Sequence, residues 1–102
     1  MEKYGFIGCG NMGGALIRAA SKSVRPEQLM LADSAISKAE TLAEETGALL
    51  SSAVQIAKTC TQIFLGVKPQ GMEALFNEIR PALKERTDRF VLVTMACFVL
   101  VN

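Results

Sequence analysis

Residues 4–13 of the chain read YGFIGCGNMG. Residues 4–8 form a short apolar run closed by glycine, which predicts a buried strand, and residues 12–23 carry apolar side chains at helical spacing. The turn between them has the pattern G-x-G-x-x-G, with glycines at Gly8, Gly10 and Gly13. The pattern alone is weak, but a strand before it and a helix behind it are the context of a phosphate-binding turn.

The rest of the chain alternates short apolar runs with segments of helical period. Further strands are predicted at 29–32, 48–50, 63–67 and 90–95. Asp33 and Ser34 are candidate caps for a helix that carries Ile36, Ala39, Leu42 and Ala43 and ends at Gly47. Ser51 or Ser52 is the candidate cap of the next helix, and Pro81 is expected to bend or end the last turn of the last helix. The expected fold is α/β, a Rossmann-like, doubly wound, mainly parallel sheet of about five strands with helices on both faces.

Each glycine of the turn has an expected role. Gly8 makes the tight turn, Gly10 lets the backbone approach a pyrophosphate, and Gly13 lets the helix pack closely. The N-terminus of that helix offers free N–H groups and a partial positive charge to an anion. The alternative is that all three glycines serve the turn and the packing, with no ligand.

Asp33 lies 20 residues beyond Gly13, at the end of the second predicted strand. At this position a carboxylate accepts hydrogen bonds from the adenosine ribose and repels a 2′-phosphate, which favours NAD. Asp33 is equally a favoured helix cap, and Lys38 would soften the preference with a positive charge. The choice between NADH and NADPH stays open at this point.

Composition excludes several classes of function. The net charge of +1 leaves no basic excess for nucleic acid, and three cysteines without C-x-x-C spacing or any histidine give no support to a metal site or a disulfide framework. No apolar run approaches the ~18 residues of a membrane span. We expect the chain to reside in the reducing cytoplasm. Cys9 is expected to be a small packing residue, and Lys68 either contacts a ligand or is solvated.

Three segments resemble pyrroline-5-carboxylate reductases: GFIGCGNMG at 5–13, FLGVKPQ at 64–70 and VTMA at 93–96. The resemblance implies reduction of a cyclic imine to proline with NADPH or NADH. It also implies a set of cofactor-binding residues, namely Phe6, Gly8, Cys9, Gly10, Asn11, Met12, Gly13, Asp33, Ser34, Val67, Lys68, Pro69, Met95 and Ala96. Of these, 67–69 would border the nicotinamide ribose, and Met95 and Ala96 the nicotinamide ring.

The family is roughly twice this length or more, as two domains require. We therefore expect a cofactor domain at 1–96, an atypical apolar tail at 97–102, and no C-terminal helical domain to bind the substrate and form the homo-oligomer. No catalytic or metal-binding residue is expected in this part, which would be inactive alone. The alternatives are a non-enzymatic NAD(P) sensor module and a related imine or β-hydroxyacid reductase.

Overall fold

The structure is a computed structural model and describes residues 2–8 and 10–94, with Asn11 and Met12 described by their backbone alone. Strands and helices alternate along this part of the chain. The strands are β1 Tyr4–Ile7, β2 Leu29–Ala32, β3 Leu49–Leu50, β4 Gln62–Leu65 and β5 Val91–Thr94. The α-helices are α1 Asn11–Ala20, α2 Ile36–Thr46, α3 Ala53–Thr59 and α4 Pro69–Lys84, and a short 3-10 helix at Pro26–Gln28 precedes β2.

The strands form one parallel sheet in the order β3-β2-β1-β4-β5. Tyr4 in the central strand pairs with Leu29 on one side and with Gln62 on the other. The chain therefore winds outward from β1 in both directions, and the two halves diverge at the carboxyl ends of β1 and β4, where open α/β sheets bind ligands. The predicted fold class is confirmed.

Each face of the sheet is covered by two helices. On one face α1 and α2 pack over Phe6, whose ring stacks on Phe64 with 5.0 Å between centroids. On the other face α3 and α4 bury Ile63 and Leu65 completely. Helices on both faces explain why the strands read as almost continuous apolar runs instead of alternating patterns.

Two of the predicted helix ends are confirmed. Gly47 ends α2 with a φ of 80°, and the Ser52 hydroxyl caps α3 by accepting the N–H of Gln55 at 3.1 Å. Pro81 lies in the last turn of α4, which ends at Lys84. Proline cannot donate to the carbonyl of Asn77, but both residues are exposed, so water can satisfy that carbonyl.

Arg86 fastens the end of α3 to the segment that leads into β5. Its guanidinium donates from Nη1 to the carbonyl oxygens of Ala57 at 2.9 Å and Cys60 at 2.6 Å, and it lies over the Phe90 ring. The same group binds both carboxylate oxygens of Asp88. One guanidinium thus holds these two parts of the chain together.

Among the described residues, no helix is both long and apolar enough to cross a bilayer. The same part of the chain contains no cluster of three or more histidine, cysteine or acidic residues placed to bind a metal. Cys60 is buried beside Met30, and this burial raises the pKa of its thiol, so it is a core residue and not an activated nucleophile.

Candidate functional site

The turn after β1 is pressed against the turn after β4. Gly8 has a φ of +97°, and a Cβ there would lie 2.8 Å from the carbonyl carbon of Gly66 and 2.9 Å from the nitrogen of Val67. The two turns are also joined by a hydrogen bond from the Gly66 N–H to the carbonyl of Ile7 at 2.7 Å. Both the backbone angle and the lack of space therefore require glycine at position 8.

Gly13 fixes how closely α1 approaches this turn. A Cβ on Gly13 would collide with the carbonyl oxygen of Gly8, so the expected close packing at this glycine is confirmed. Gly10 differs, because it sits at the N-cap of α1 and a Cβ there would meet no described atom beyond its chain neighbours within 4 Å. Two glycines of the motif serve the packing, and the third leaves the backbone open on its outer side.

A cleft of about 750 Å³ opens above these turns, at the carboxyl edge of the sheet. It lies between the β2–α2 and β3–α3 turns on one side and the start of α4 on the other. Of the predicted site residues, the structure brings together Gly8, Gly10, Asp33, Ser34, Val67 and Lys68 along its walls. A cavity of this size is typical of a small-molecule or cofactor site.

The other predicted site residues are placed differently. Phe6 points into the core, where it is 2% exposed, so its side chain does not line the cleft. Gly13 lies beneath the turn, and Pro69 is the first residue of α4. Cys9, Met95 and Ala96 lie outside the described residues, as do the side chains of Asn11 and Met12.

Several residues that line the cleft were not predicted as site residues from the sequence motifs. They are Ile36, Ser51, Ser52, Ala53, Gly71, Leu75 and Glu78. Ile36 shares an apolar i, i+3 spacing with Ala39, yet it is 67% exposed whereas Ala39 is buried. Its place at the first position of α2, directly after the β2 turn, is the feature that could have identified it.

Asp33 is held in a defined orientation at the end of β2. Its Oδ1 accepts the N–H of Ala35 at 2.9 Å, and the side chain is half-buried. This bond does not cap α2, because the N-cap residue is Ala35 and no side chain caps the helix, so the predicted caps at Asp33 and Ser34 are wrong. Asp33 instead bonds the backbone just before α2 and borders the cleft.

Cations lie at both ends of the cleft. Lys68 is exposed at the N-cap of α4, where its carbonyl accepts the N–H of Gly71 at 2.9 Å. Lys38, one turn into α2, borders the cleft and also a smaller recess of about 400 Å³ between α1 and α2. Arg18 lines that recess as well, but its guanidinium forms an ion pair with Glu45.

Known proteins of similar sequence and fold include nicotinamide-dependent reductases. Residues 3–95 match the family described as NADP oxidoreductase coenzyme F420-dependent. The chain belongs to this family. A curated relative, the pyrroline-5-carboxylate reductase of Escherichia coli, is 36% identical over 87 residues, which are 82% of this chain and 32% of the relative. The resemblance stated from the three sequence motifs is confirmed, and the chain spans about a third of the length of the relatives that it matches.

Solved structures show the same fold. A pyrroline-5-carboxylate reductase from Coxiella burnetii superposes with a TM-score of 0.80 at 20% identity, over 91% of this chain and 35% of that one. The Plasmodium falciparum pyrroline carboxylate reductase with NADP bound gives 0.69 at 27% identity, over 92% and 33%. An imine reductase from Myxococcus stipitatus in complex with NADP+ gives 0.72 at 27% identity, over 90% and 32%.

Proposed function

We propose that the chain is the nicotinamide-dinucleotide-binding domain of a reductase that converts 1-pyrroline-5-carboxylate to proline. The open backbone at Gly10 carries the proposal: the N-terminus of α1 begins there, and the cleft opens above it. A pyrophosphate that approaches this point would meet N–H groups and the positive end of the helix dipole. The space that a side chain would fill is left for the ligand.

The residues around the cleft fit such a cofactor from end to end. The Gly8 to Gly13 turn would hold the pyrophosphate, and Asp33 with Ser34 the adenosine ribose. Val67, Lys68 and Pro69 would border the nicotinamide ribose, where Lys68 supplies a positive charge. Met95 and Ala96, which follow β5, complete the proposed set beside the nicotinamide ring.

The bound nicotinamide would supply a hydride to the imine carbon. The protein contributes by binding and orientation, and no catalytic side chain is assigned to this chain. The floor of the cleft is fixed by the packing of Gly8 on Gly66, and that rigidity would hold the cofactor in one pose.

The remaining two thirds of the relatives' length would supply what this domain lacks. We propose that residues 1–96 are the cofactor domain, that 97–102 are a tail of atypical apolar sequence, and that a helical domain builds the substrate pocket and the homo-oligomer. The cofactor domain alone would then bind nucleotide but turn over little imine. A cytoplasmic setting without nucleic-acid or membrane partners suits such an enzyme.

A second candidate is the reduction of other imines. It is favoured by the similarity to the Myxococcus stipitatus imine reductase, which matches as large a share of this chain. Both functions use the same cofactor cleft, so they differ only in the substrate pocket. A graft of each family's C-terminal domain after Met95 would separate them, because the proposal expects turnover of 1-pyrroline-5-carboxylate with the first graft.

The direct test is a titration of NADH and NADPH into the purified chain, followed by nucleotide fluorescence, with circular dichroism to verify folding. Saturable binding of either nucleotide to the folded chain supports the proposal. A folded chain that binds neither contradicts it. ATP serves as a control ligand, because it shares the adenosine end and lacks the nicotinamide half.

A further inference from the structure

The β2 side of the cleft is built for a base and a hydroxylated sugar. Ile36 presents an apolar side chain that is 67% exposed, and Ser34, Ser51 and Ser52 line the same cleft. Asp33 stands among them at the end of β2. If the proposed function holds, this is the side where the adenosine of the dinucleotide lies, and its ribose is the part that distinguishes NADH from NADPH.

The carboxylate of Asp33 suits a ribose diol better than a phosphorylated ribose. An ionised carboxylate only accepts hydrogen bonds, and the 2′- and 3′-hydroxyls of NADH donate them. A 2′-phosphate replaces one donor by a group carrying about −1.5 to −2 charges at neutral pH. The bond from the Ala35 N–H holds the side chain in place, so it cannot swing away from such a group without losing that bond.

The nearby cations only partly offset this repulsion. Arg18 is already paired with Glu45 across α1 and α2. Lys38 faces both the cleft and the recess beside it, but it is exposed, so its charge is largely solvated. Among the described residues that line the cleft, the other cation is Lys68, which lies on the β4 side.

We infer that Asp33 makes this chain select NADH over NADPH, and that Lys38 limits the margin of the selection. This inference rests on the proposed function and deepens it, since it names the coenzyme of the same site. It also separates this chain from the Plasmodium falciparum structure with NADP bound and from the Myxococcus stipitatus structure in complex with NADP+.

The experiment compares dissociation constants for NADH and NADPH in the full chain and in Asp33→Asn. Asparagine keeps an oxygen for the Ala35 N–H, removes the charge and replaces the second acceptor oxygen by an amide donor. We expect the unmodified chain to bind NADH at least tenfold more tightly than NADPH, and Asp33→Asn to reduce that ratio at least fivefold, mainly through tighter NADPH binding. Lys38→Gln should raise the ratio, whereas Lys22→Gln, an exposed lysine beyond α1, is the matched control.

Three results would overturn the inference. NADPH that binds as tightly as NADH to the unmodified chain is the first, and a ratio that Asp33→Asn leaves unchanged is the second. Binding of neither nucleotide to the folded chain is the third, and it alone also removes the proposed function. Repeating the titrations at high salt adds a check, because a charge-based preference must shrink as salt screens it.

Discussion

The carbonyl oxygen of Gly8 occupies the space into which a side chain on Gly13 would project. The first turn of α1 therefore rests directly on the turn that follows β1. Gly10, between these two glycines, has open space on its outer side. The packing role and the ligand role of the motif are thus assigned to different residues and can be tested one at a time.

Gly13→Ala should damage the fold as well as the site. The added methyl must push α1 away from Gly8, and overpacking of this kind costs about 1–3 kcal/mol in the free energy of unfolding. Urea denaturation measures the loss. Gly71→Ala in the first turn of α4 is the control, because its Cβ meets nothing within 4 Å and it should be neutral or slightly stabilising. Equal stability of the two variants would contradict the packing at Gly13.

Gly10→Ala should spare the fold and impair the site. Gly10 has φ −70° and ψ −167°, an extended conformation that alanine adopts readily. We expect a stability change within about 0.5 kcal/mol. NADH affinity should fall at least tenfold, because the methyl projects where the pyrophosphate is proposed to bind. Unchanged affinity in the nucleotide titration would argue against the Gly10 approach.

Ile36→Ser tests the proposed adenosine side. Because Ile36 is largely exposed, its truncation should change stability by no more than about 0.5 kcal/mol. NADH affinity should fall several-fold as apolar contact is lost. Leu49→Ser, at an exposed leucine of the β3 edge outside the cleft, is the matched control and should leave affinity unaltered.

Arg86→Ala should be strongly destabilising although the residue lies outside the cleft. The side chain is 5% exposed, and its removal leaves the carbonyl oxygens of Ala57 and Cys60 without the charged donor that they bind. A hydrogen bond to a charged group contributes about 1.5–3 kcal/mol to stability. We therefore expect the free energy of unfolding, measured by heat or urea, to fall by about 2–3 kcal/mol. Arg80→Ala, an exposed arginine of α4, should cost far less.

Asp88 should make stability depend on pH at the acid end. Its hydrogen bond from Arg86 lowers the pKa of the carboxyl below its ordinary value. A depressed folded-state pKa gives stability that is present above the unfolded pKa, about 4, and is lost as pH falls through the folded value. Asp88→Asn should therefore flatten the acid limb of a stability profile measured between neutral pH and pH 2. A profile identical to that of the unmodified chain would refute the link.

Much of the fold followed from local sequence signals. Short apolar runs located the strands to within two residues. The requirement for glycine at positions 8, 13 and 47 was readable because few other residues satisfy their backbone angles or lack of space. The spacing of Asp33 after the glycine turn placed it correctly beside the cleft.

The rest depended on contacts between distant segments. Phe6 was assigned to the phosphate turn by resemblance, but its side chain faces the core because helices cover both faces of the central strand β1. Arg86 reaches back to carbonyls of α3, and no local period marks such a contact. The helical spacing of Ile36 and Ala39 predicts that both face the core, but Ile36 is exposed because it is the first residue of α2.

The contact between the Gly8 turn and the Gly66 turn has a kinetic consequence. The floor of the cleft comes from the ends of β1 and β4, strands that lie far apart in the chain and meet only when the centre of the sheet closes. A nucleotide that contacts both turns cannot bind a partly folded chain in which β1 and β4 have not yet paired. Its stabilisation should therefore slow unfolding and leave the refolding rate unaltered.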